Sequence, residues 1–151
     1  MFYIFLDIDG VLNKESDWKI KYSIDKSCVN ALKDISMLCE KQYGDIRIIL
    51  SSTWKAGISK DGSSIQIKNL QEALATVGLA IFESTPMSNK GRQAEIEYFI
   101  RRNSVQHYLV IDDDLSLFEE PKRLNLLVSD YKKGLTKDDV KTVKKMLKEG
   151  L

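Results

Sequence analysis

Two aspartates that follow an apolar N-terminal run are the first residues in this sequence with a spacing suited to chemistry. The run ends at Asp7, Asp9 follows two residues later, and Gly10 allows the backbone to turn sharply away. Two carboxylates can simply be solvated at the start of a turn. Like charges crowded at the end of an apolar strand, however, repel each other unless a cation lies between them, so the pattern favours a functional site.

A group of hydroxyls, Ser51, Ser52 and Thr53, follows a second apolar run, Ile48–Leu50. These side chains are neutral hydrogen-bond donors beside exposed backbone N–H groups, a combination that suits a phosphate oxygen. Serine and threonine after a strand also form helix caps and turns. The position of the group, after the Asp7 strand, is what favours phosphate binding.

A lysine, Lys90, precedes a segment of helical period that contains Ile96 and Phe99, with Arg92 in its first turn. The N-terminus of a helix disfavours a cation, so an anionic group is expected to compensate Lys90. The alternative is a solvated lysine in a loop, where most lysines lie.

Three carboxylates, Asp112, Asp113 and Asp114, follow a later apolar run. Asp114 can cap the short helix expected at Leu115–Glu120. Repulsion between Asp112 and Asp113 would be relieved by a divalent cation or by Lys90. Together the four groups predict an oxygen-ligated magnesium site for phosphoryl chemistry.

These residues need elements that bring them to one place, and the hydrophobic periodicity provides them. Short β-rich runs alternate with segments of helical period, which is typical of a parallel sheet covered by helices on both faces. Strands are predicted at Phe2–Ile8, Ile46–Leu50, Leu79–Phe82, Tyr108–Ile111 and Leu126–Val128. Helical spacing recurs at Val29–Cys39, Leu70–Val77, Ile96–Ile100 and Val140–Leu147, with Thr136 and Asp139 as an N-cap signature for the last. The predicted fold is therefore α/β, a doubly wound parallel sheet of about five strands.

One segment, at about 13–24, breaks this alternation. Trp18, Ile20 and Tyr22 recur at period two, which predicts a small flap strand. The stretch Ala56–Ser64 predicts a long turn. Neither interrupts what we expect to be a single domain spanning residues 1–151.

Composition narrows the function classes. The chain has 23 Lys and Arg against 22 Asp and Glu, so its charge does not indicate general nucleic-acid binding. The single histidine, His107, excludes zinc sites and hydrolases that need two histidines. Cys28 and Cys39 would lie about 16 Å apart on one helix, too far for a disulfide. Buried thiols and an N-terminal run without a basic region predict a cytoplasmic protein without a membrane partner.

The sequence resembles the haloacid dehalogenase (HAD) superfamily of phosphohydrolases. Its four signature groups match in order: the run Asp7–Val11, Ser51, Lys90 and the pair Asp112–Asp113. Within the superfamily the chain looks like the small HAD domain of Swiss Army Knife RNA repair proteins, on the runs Leu50–Trp54, Thr85–Pro86, Gly91–Ile96, Val110–Asp114 and Gly134–Thr136.

The resemblance implies a role for each matching residue. Asp7 would attack phosphorus to form an aspartyl-phosphate, and Asp9 would protonate the leaving oxygen and then activate water. Ser51 would hold a phosphate oxygen, with Ser52 beside it, and Lys90 would neutralise Asp7 and the phosphoryl group. Magnesium would be held by the Asp7 carboxylate, the Asp9 carbonyl and most directly Asp113, while Asp112 either bonds Lys90 or shares the metal.

Members of this superfamily usually carry a cap domain, but both insertion points here are too short for one. An open site would admit a large phosphorylated substrate such as an RNA or DNA end. Arg92 is a candidate for binding it, and Trp54, Trp18 and Tyr22 are candidates for stacking on a base. Aromatic residues at period two are more often part of the core, which is the alternative for Trp18 and Tyr22.

The leading hypothesis is a magnesium-dependent phosphomonoesterase that removes 3′-phosphates from polynucleotide ends. The alternative within this class is a phosphatase for small metabolites, nucleotides or phosphoproteins. A phosphoacceptor signalling module is disfavoured by motif order, because Ser51 precedes Lys90 and the acidic pair. A non-catalytic partner subunit is a third possibility, but all four motif groups are intact.

Overall fold

The computed structural model describes residues 1–57 and 64–151. Strands and helices alternate along this part of the chain as the periodicity predicts. The strands are β1 (Phe2–Leu6), β2 (Ile46–Leu50), β3 (Ile81–Ser84), β4 (Tyr108–Asp112) and β5 (Leu126–Val128). The α-helices are α1 (Lys26–Tyr43), α2 (Ile65–Ala75), α3 (Arg92–Arg102) and α4 (Lys137–Glu149). Most of the predicted turn Ala56–Ser64 lies outside the described residues.

The five strands form one parallel sheet in the order β3-β2-β1-β4-β5. The chain moves from β1 to β2 and β3 on one side of the sheet, then returns to place β4 and β5 on the other. Open α/β sheets bind ligands at the carboxyl ends of strands where the winding reverses. That position is the end of β1, and the predicted doubly wound α/β fold is confirmed.

The two faces of the sheet bury different sets of side chains because successive residues of a strand point to opposite faces. On one face Phe2, Ile4 and Leu6 of β1 pack in a core with α1, α2 and α4. On the other, Phe5 packs with Phe99 of α3, their ring centroids 5.4 Å apart. Strand β1 is therefore enclosed on both faces and on both edges, which fixes the residues that follow it.

Side-chain caps define where several helices begin. Thr136 and Asp139 form the predicted capping box of α4. Asp25 caps α1 by accepting hydrogen bonds from the backbone of Ser27 and Cys28. Asp114 caps a short 3-10 helix, Leu115–Leu117, as expected from its position after β4.

The predicted flap strand is wrong. Residues Glu15–Lys19 form a short 3-10 helix, and Trp18 and Ile20 are exposed. The backbone bonds of this segment close locally, from Asp17 N–H to Lys14 and from Ile20 N–H to Asp17. A period-two pattern specifies a strand only where a neighbouring strand is free to pair with it, and β2 and β4 already occupy both edges of β1.

The boundaries of two strands and one helix also differ from the prediction. β1 ends at Leu6 rather than Ile8 because the chain turns into the site, and β3 is displaced to Ile81–Ser84. Helix α2 ends at Ala75, so Val77 lies in the turn that follows it.

Both cysteines are buried free thiols, and burial raises the pKa of Cys39 to about 12. Among the described residues no helix is long and apolar enough to cross a membrane.

Gly134, which follows β5, lies where the first loop of the site packs against α1, and a substitution there tests this packing. Gly134 has φ +64°, and a Cβ there would lie 2.6 Å from Cys28 Sγ and 2.9 Å from the Asn13 carbonyl oxygen. Gly78 has φ +75° but nothing within 4 Å of such a Cβ. We expect Gly78→Ala to cost about 1–2 kcal/mol of backbone strain.

Gly134→Ala should cost that strain plus roughly 1–3 kcal/mol of overpacking. Urea denaturation of the two variants measures the difference in the free energy of unfolding. Equal destabilisation by the two substitutions would contradict this close packing.

Candidate active site

The register of the sheet places three of the predicted site residues in one row. Asp7, Ser51 and Asp112 lie at the carboxyl ends of β1, β2 and β4, which are adjacent strands. The backbone N–H of Ser51 donates to the carbonyl of Leu6 at 2.8 Å, and that of Asp7 donates to Ile111 at 3.0 Å. Sheet hydrogen bonds thus hold the backbone beneath the site at fixed spacing.

Three carboxylates converge at this row. Asp7, Asp112 and Asp113 each offer an oxygen, and the three oxygens lie within 4.8 Å of one another. Asp7 and Asp112 are buried, whereas Asp113 is half-buried. Gly10 makes this approach possible, because it has φ +79° and a Cβ there would overlap the Asp113 carboxylate.

The cation in contact with this cluster is Arg92, from the first turn of α3. Its Nη1 lies 2.7 Å from Asp112 Oδ2 and 3.3 Å from Asp7 Oδ1. The guanidinium is largely buried, and the other Asp112 oxygen accepts from the backbone N–H of Asp114 at 3.0 Å. Asp112 is therefore bonded on both oxygens, while Asp113 is half-buried.

Burial disfavours the charged forms of the two buried carboxyl groups even though Arg92 contacts both. Burial raises the pKa of Asp7 well above its ordinary value, and the Asp112 carboxylate raises it further, against the attraction of Arg92. Burial also raises the pKa of Asp112, again against Arg92. Burial opposes the charge of Arg92, but the two carboxylates outweigh it and raise its pKa. The guanidinium stays charged, and it is a single cation in contact with a cluster of three carboxyl groups.

Lys90 does not take the position expected for it. Its side chain is exposed, and among the described residues it forms no ion pair. The chain enters α3 through Gly91, whose φ of +99° turns the helix N-terminus so that Arg92 is directed to the cluster. Arg92 was expected to bind substrate, but its ion pairs with Asp7 and Asp112 give it the contacts predicted for Lys90.

Asp9 is exposed, and both of its carboxylate oxygens are held. Oδ1 accepts from Asn13 Nδ2 at 2.9 Å and Oδ2 accepts from Trp54 Nε1 at 3.0 Å. The Asp9 carboxylate is not part of the three-carboxylate cluster. The two acids of the first motif therefore lie in different environments, Asp7 buried among charges and Asp9 exposed.

Trp54 does not offer a free face for stacking on a base. Only 3% of it is exposed, and its ring packs at right angles to Tyr22 with centroids 5.5 Å apart. Its indole N–H orients Asp9 instead. The sequence showed an aromatic residue next to a hydroxyl group, but not which way the ring points.

The hydroxyls after β2 have different environments. Ser52 Oγ accepts from the backbone N–H of Trp54 at 3.3 Å, so it stabilises the turn. Ser51 Oγ is buried and has no hydrogen-bond partner among the described residues. A buried hydroxyl without a partner is costly, and Ser51 lies next to Asp7 in the row, where a phosphate oxygen would satisfy it.

Asn13 is a site residue to which sequence reasoning gave no role. It is 2% exposed, and its amide makes four hydrogen bonds. Its Oδ1 accepts from Gly10 N–H and Trp18 Nε1, and its Nδ2 donates to Asp9 and to the Ser23 carbonyl. The sequence signal for Asn13 was its position six residues after Asp7, because an amide side chain that follows a glycine turn can form hydrogen bonds with the backbone of that turn.

A buried ion pair between Lys55 and Glu95 was also missed. Lys55 Nζ lies 2.8 Å from Glu95 Oε1 and also donates to Thr85 Oγ1 and to the Pro86 carbonyl. Glu95 accepts from the backbone N–H of Ser88 through its other oxygen. This network fixes the β3–α3 loop to the turn after β2, and so it sets where α3 and Arg92 lie.

The residues present fit a hard divalent cation. Carboxylate oxygens are the ligands that magnesium prefers, and a cation of charge two would balance the excess negative charge that Arg92 leaves. The close approach of Asp113 to Gly10 keeps that carboxylate at the cluster even though it is half-buried.

Comparison with known proteins agrees with this reading. A family described as "HAD domain in Swiss Army Knife RNA repair proteins" matches residues 3–140. The matched region begins in β1 and reaches α4, so it covers every residue of the site described above. Searches of curated proteins and of solved structures found no match.

The cluster predicts how single substitutions affect magnesium binding. Asp113→Asn removes a charged ligand, and we expect it to weaken magnesium binding by about tenfold or more. Asp9→Asn should leave the affinity close to that of the unmodified protein, because the Asp9 carboxylate lies outside the cluster. Titration calorimetry with magnesium chloride measures both, and the reverse order would show that ligand and acid are wrongly assigned.

Proposed function

This chain belongs to the HAD domain family of Swiss Army Knife RNA repair proteins, and we propose that it is a magnesium-dependent phosphomonoesterase acting through an aspartyl-phosphate. One observation carries the proposal. The buried Asp7 carboxylate lies 3.3 Å from the Arg92 guanidinium and next to two further carboxylates, while the exposed Asp9 lies two residues away. In the proposed mechanism Asp7 is the nucleophile, Arg92 stabilises charge and Asp9 is the acid.

In the first step an Asp7 oxygen bonds to phosphorus as the bond between phosphorus and the leaving oxygen breaks. Asp9 gives its proton to that leaving oxygen, so an alcohol departs. In the second step Asp9 takes a proton from water, the water oxygen bonds to phosphorus, and the bond from phosphorus to Asp7 breaks. Inorganic phosphate leaves, and both aspartates return to their starting states.

Asp9 can serve both steps because it is oriented but not buried. The amide of Asn13 and the indole of Trp54 hold its two oxygens. Both partners are themselves buried, so the carboxylate is held by a rigid support. A pre-oriented acid avoids the entropy cost of finding its position during the reaction.

The transferring phosphoryl group carries negative charge that the site must stabilise. Arg92 provides a fixed positive charge next to Asp7, taking the role expected of Lys90. Ser51 provides a buried hydroxyl that is free to donate to a phosphate oxygen. Ser52 supports it indirectly, since its hydroxyl accepts from the turn backbone.

Magnesium would be held by Asp7, Asp113 and Asp112, with the Asp9 carbonyl as a further ligand. When bound, it would supply charge neutralisation for the phosphoryl oxygens. We assign Asp113 as the principal ligand of the acidic pair, because both Asp112 oxygens already have partners.

We propose polynucleotide ends bearing a 3′-phosphate as the substrate class. The matched family is that of RNA repair proteins, and the exposed Asp9 is accessible to a bulky leaving group. In the described structure, residues 13–25 between β1 and α1 contain only one short 3-10 helix and cannot cover the site as a cap domain would. Small phosphorylated metabolites, nucleotides and phosphoproteins are the alternative substrates.

The mechanism predicts that Asp7→Asn abolishes phosphatase activity. An amide can neither attack phosphorus nor carry the ligand charge, so we expect kcat on a generic aryl phosphate to fall by ~10³-fold or more. The unmodified protein should require magnesium in the same assay. Turnover by Asp7→Asn near that of the unmodified protein would exclude the mechanism.

Substitutions of the neighbouring cations Arg92 and Lys90 form a matched pair for this assay. Arg92→Gln should lower kcat by about 10²–10³-fold, the usual cost of removing one stabiliser of transition-state charge. Lys90→Gln should change it little, because Lys90 is exposed and forms no ion pair among the described residues. Circular dichroism confirms that both variants fold, and a greater loss in Lys90→Gln would reverse the assignment.

The substrate class predicts an order of kcat/KM. Oligonucleotides with a 3′-phosphate should exceed sugar phosphates by at least about tenfold, a difference that one stacked base can supply. The panel includes 3′-phosphorylated RNA and DNA, 5′-phosphorylated strands, mononucleotides and a phosphopeptide. If the 3′-phosphorylated oligomers are no better than sugar phosphates, the small-molecule alternative replaces this one.

A further inference from the structure

An exposed apolar pocket opens directly beside Asp9. Its volume is about 460 Å³, within the range of pockets that hold small ligands. It is lined by Asp9, Asn13, Trp18, Ile20, Lys21 and Tyr22. Resting on the proposed function, we propose that this pocket binds the nucleobase of the leaving nucleoside, with Trp18 as the residue on which the base stacks.

The position of the pocket assigns it to the leaving group. In the proposed reaction Asp9 gives its proton to the oxygen that departs, so the group attached to that oxygen must lie on the Asp9 side of the site. The cluster of Asp7, Asp112 and Asp113 does not line the pocket, so the phosphoryl group and the leaving group have separate places.

Trp18 is held ready for stacking while part of its surface stays in solvent. It is 43% exposed, and its indole N–H donates to Asn13 Oδ1 at 2.8 Å. Its ring also stacks on Tyr131 at an interplanar angle of 23° with centroids 6.1 Å apart. A ring fixed by a hydrogen bond and a neighbouring aromatic residue loses little entropy when a base stacks on it.

Ile20 and Tyr22 form the rest of the apolar pocket wall. The stability of the fold does not require apolar surface to be exposed there. Ile20 is 73% exposed although it adjoins the site. Tyr22 has a φ of +61°, a conformation that costs free energy in a residue other than glycine and is concentrated at binding and catalytic sites. The Tyr22 carbonyl accepts from Asn69 Nδ2, and its ring packs on Trp54, which holds it in that conformation.

The charges around the pocket favour a nucleotide over an uncharged or cationic aromatic ligand. Lys21 lines the pocket, Lys132 lies near Tyr131, and Lys19 follows Trp18 in the sequence; among the described residues none of these three ammonium groups forms an ion pair. Lys132 Nζ lies 5.9 Å from the Tyr131 ring centroid. Aromatic faces interspersed with free cations are the usual means of binding single-stranded nucleic acid.

Substitution of Trp18 tests the assignment. We expect Trp18→Ala to raise KM for a nucleoside 3′-phosphate about five- to 150-fold more than it raises KM for glycerol 2-phosphate, which has no base to stack. Trp18→Phe keeps a ring but removes the hydrogen bond to Asn13, and it should restore most of the nucleotide preference. Failure of Trp18→Phe to restore it would assign Trp18 to the support of Asn13 and Asp9, and would overturn the proposal.

Tyr98→Ala is the matched control. Tyr98 is 46% exposed, close to Trp18, but it lies on α3 and does not line this pocket. It should leave the ratio of the two KM values unchanged. An equal change in Trp18→Ala and Tyr98→Ala would also overturn the proposal.

A second readout separates this inference from the proposed function. In the Asp7→Asn background, a 3′-phosphorylated trinucleotide should quench tryptophan fluorescence, and Trp18→Phe should remove that quenching. If the unmodified protein hydrolyses no phosphate ester, the proposed function fails. If it hydrolyses glycerol 2-phosphate but neither the KM ratio nor the quenching depends on Trp18, only the pocket assignment fails.

A further variant distinguishes a mononucleotide from a polynucleotide end as the source of the base. Lys21→Ala should raise KM more for the trinucleotide than for the nucleoside 3′-phosphate if a further backbone phosphate lies next to the pocket. An equal effect on both would identify the mononucleotide as the source. A phosphotyrosine peptide that shows the Trp18 dependence in place of the nucleotides would overturn the proposal.

Discussion

The site is organised around a shortage of positive charge. Asp7, Asp112 and Asp113 bring three carboxylate oxygens within 4.8 Å of one another, and Arg92 is the cation in contact with them. Burial makes this shortage severe, because charges in a poorly solvated region interact strongly. The protein therefore maintains a place where a divalent metal cation would relieve an existing imbalance of charge.

Such a cluster would spread apart unless the fold held it. The central strand of the sheet, β1, carries Asp7, and its neighbours β2 and β4 hold its backbone on both sides. The Lys55–Glu95 ion pair fixes the loop that leads into α3. Arg92 is thus held by these contacts against a cluster whose members repel one another.

The proposed function divides the chemistry and the recognition of substrate between two regions of different character. The carboxylate cluster is buried and charged, whereas the region around Trp18 is exposed and apolar. Asn13 joins the two, because its amide bonds Asp9 on one side and Trp18 on the other. In the proposed reaction, this places the proton donor at the boundary where the leaving group begins.

The sequence by itself determined the order of strands and helices, the strand-end acids and the hydroxyl group after β2. These follow from periodicity and from side chains one or two residues beyond an apolar run, where the chain has little freedom. Only the tertiary structure decided that Arg92 rather than Lys90 meets Asp7, that Trp54 turns inward to hold Asp9, and that residues 15–19 form a 3-10 helix. The physical reason is that a long side chain near the start of a helix can reach in several directions, and the angle at which that helix enters depends on contacts with residues distant in sequence, here Lys55 with Glu95.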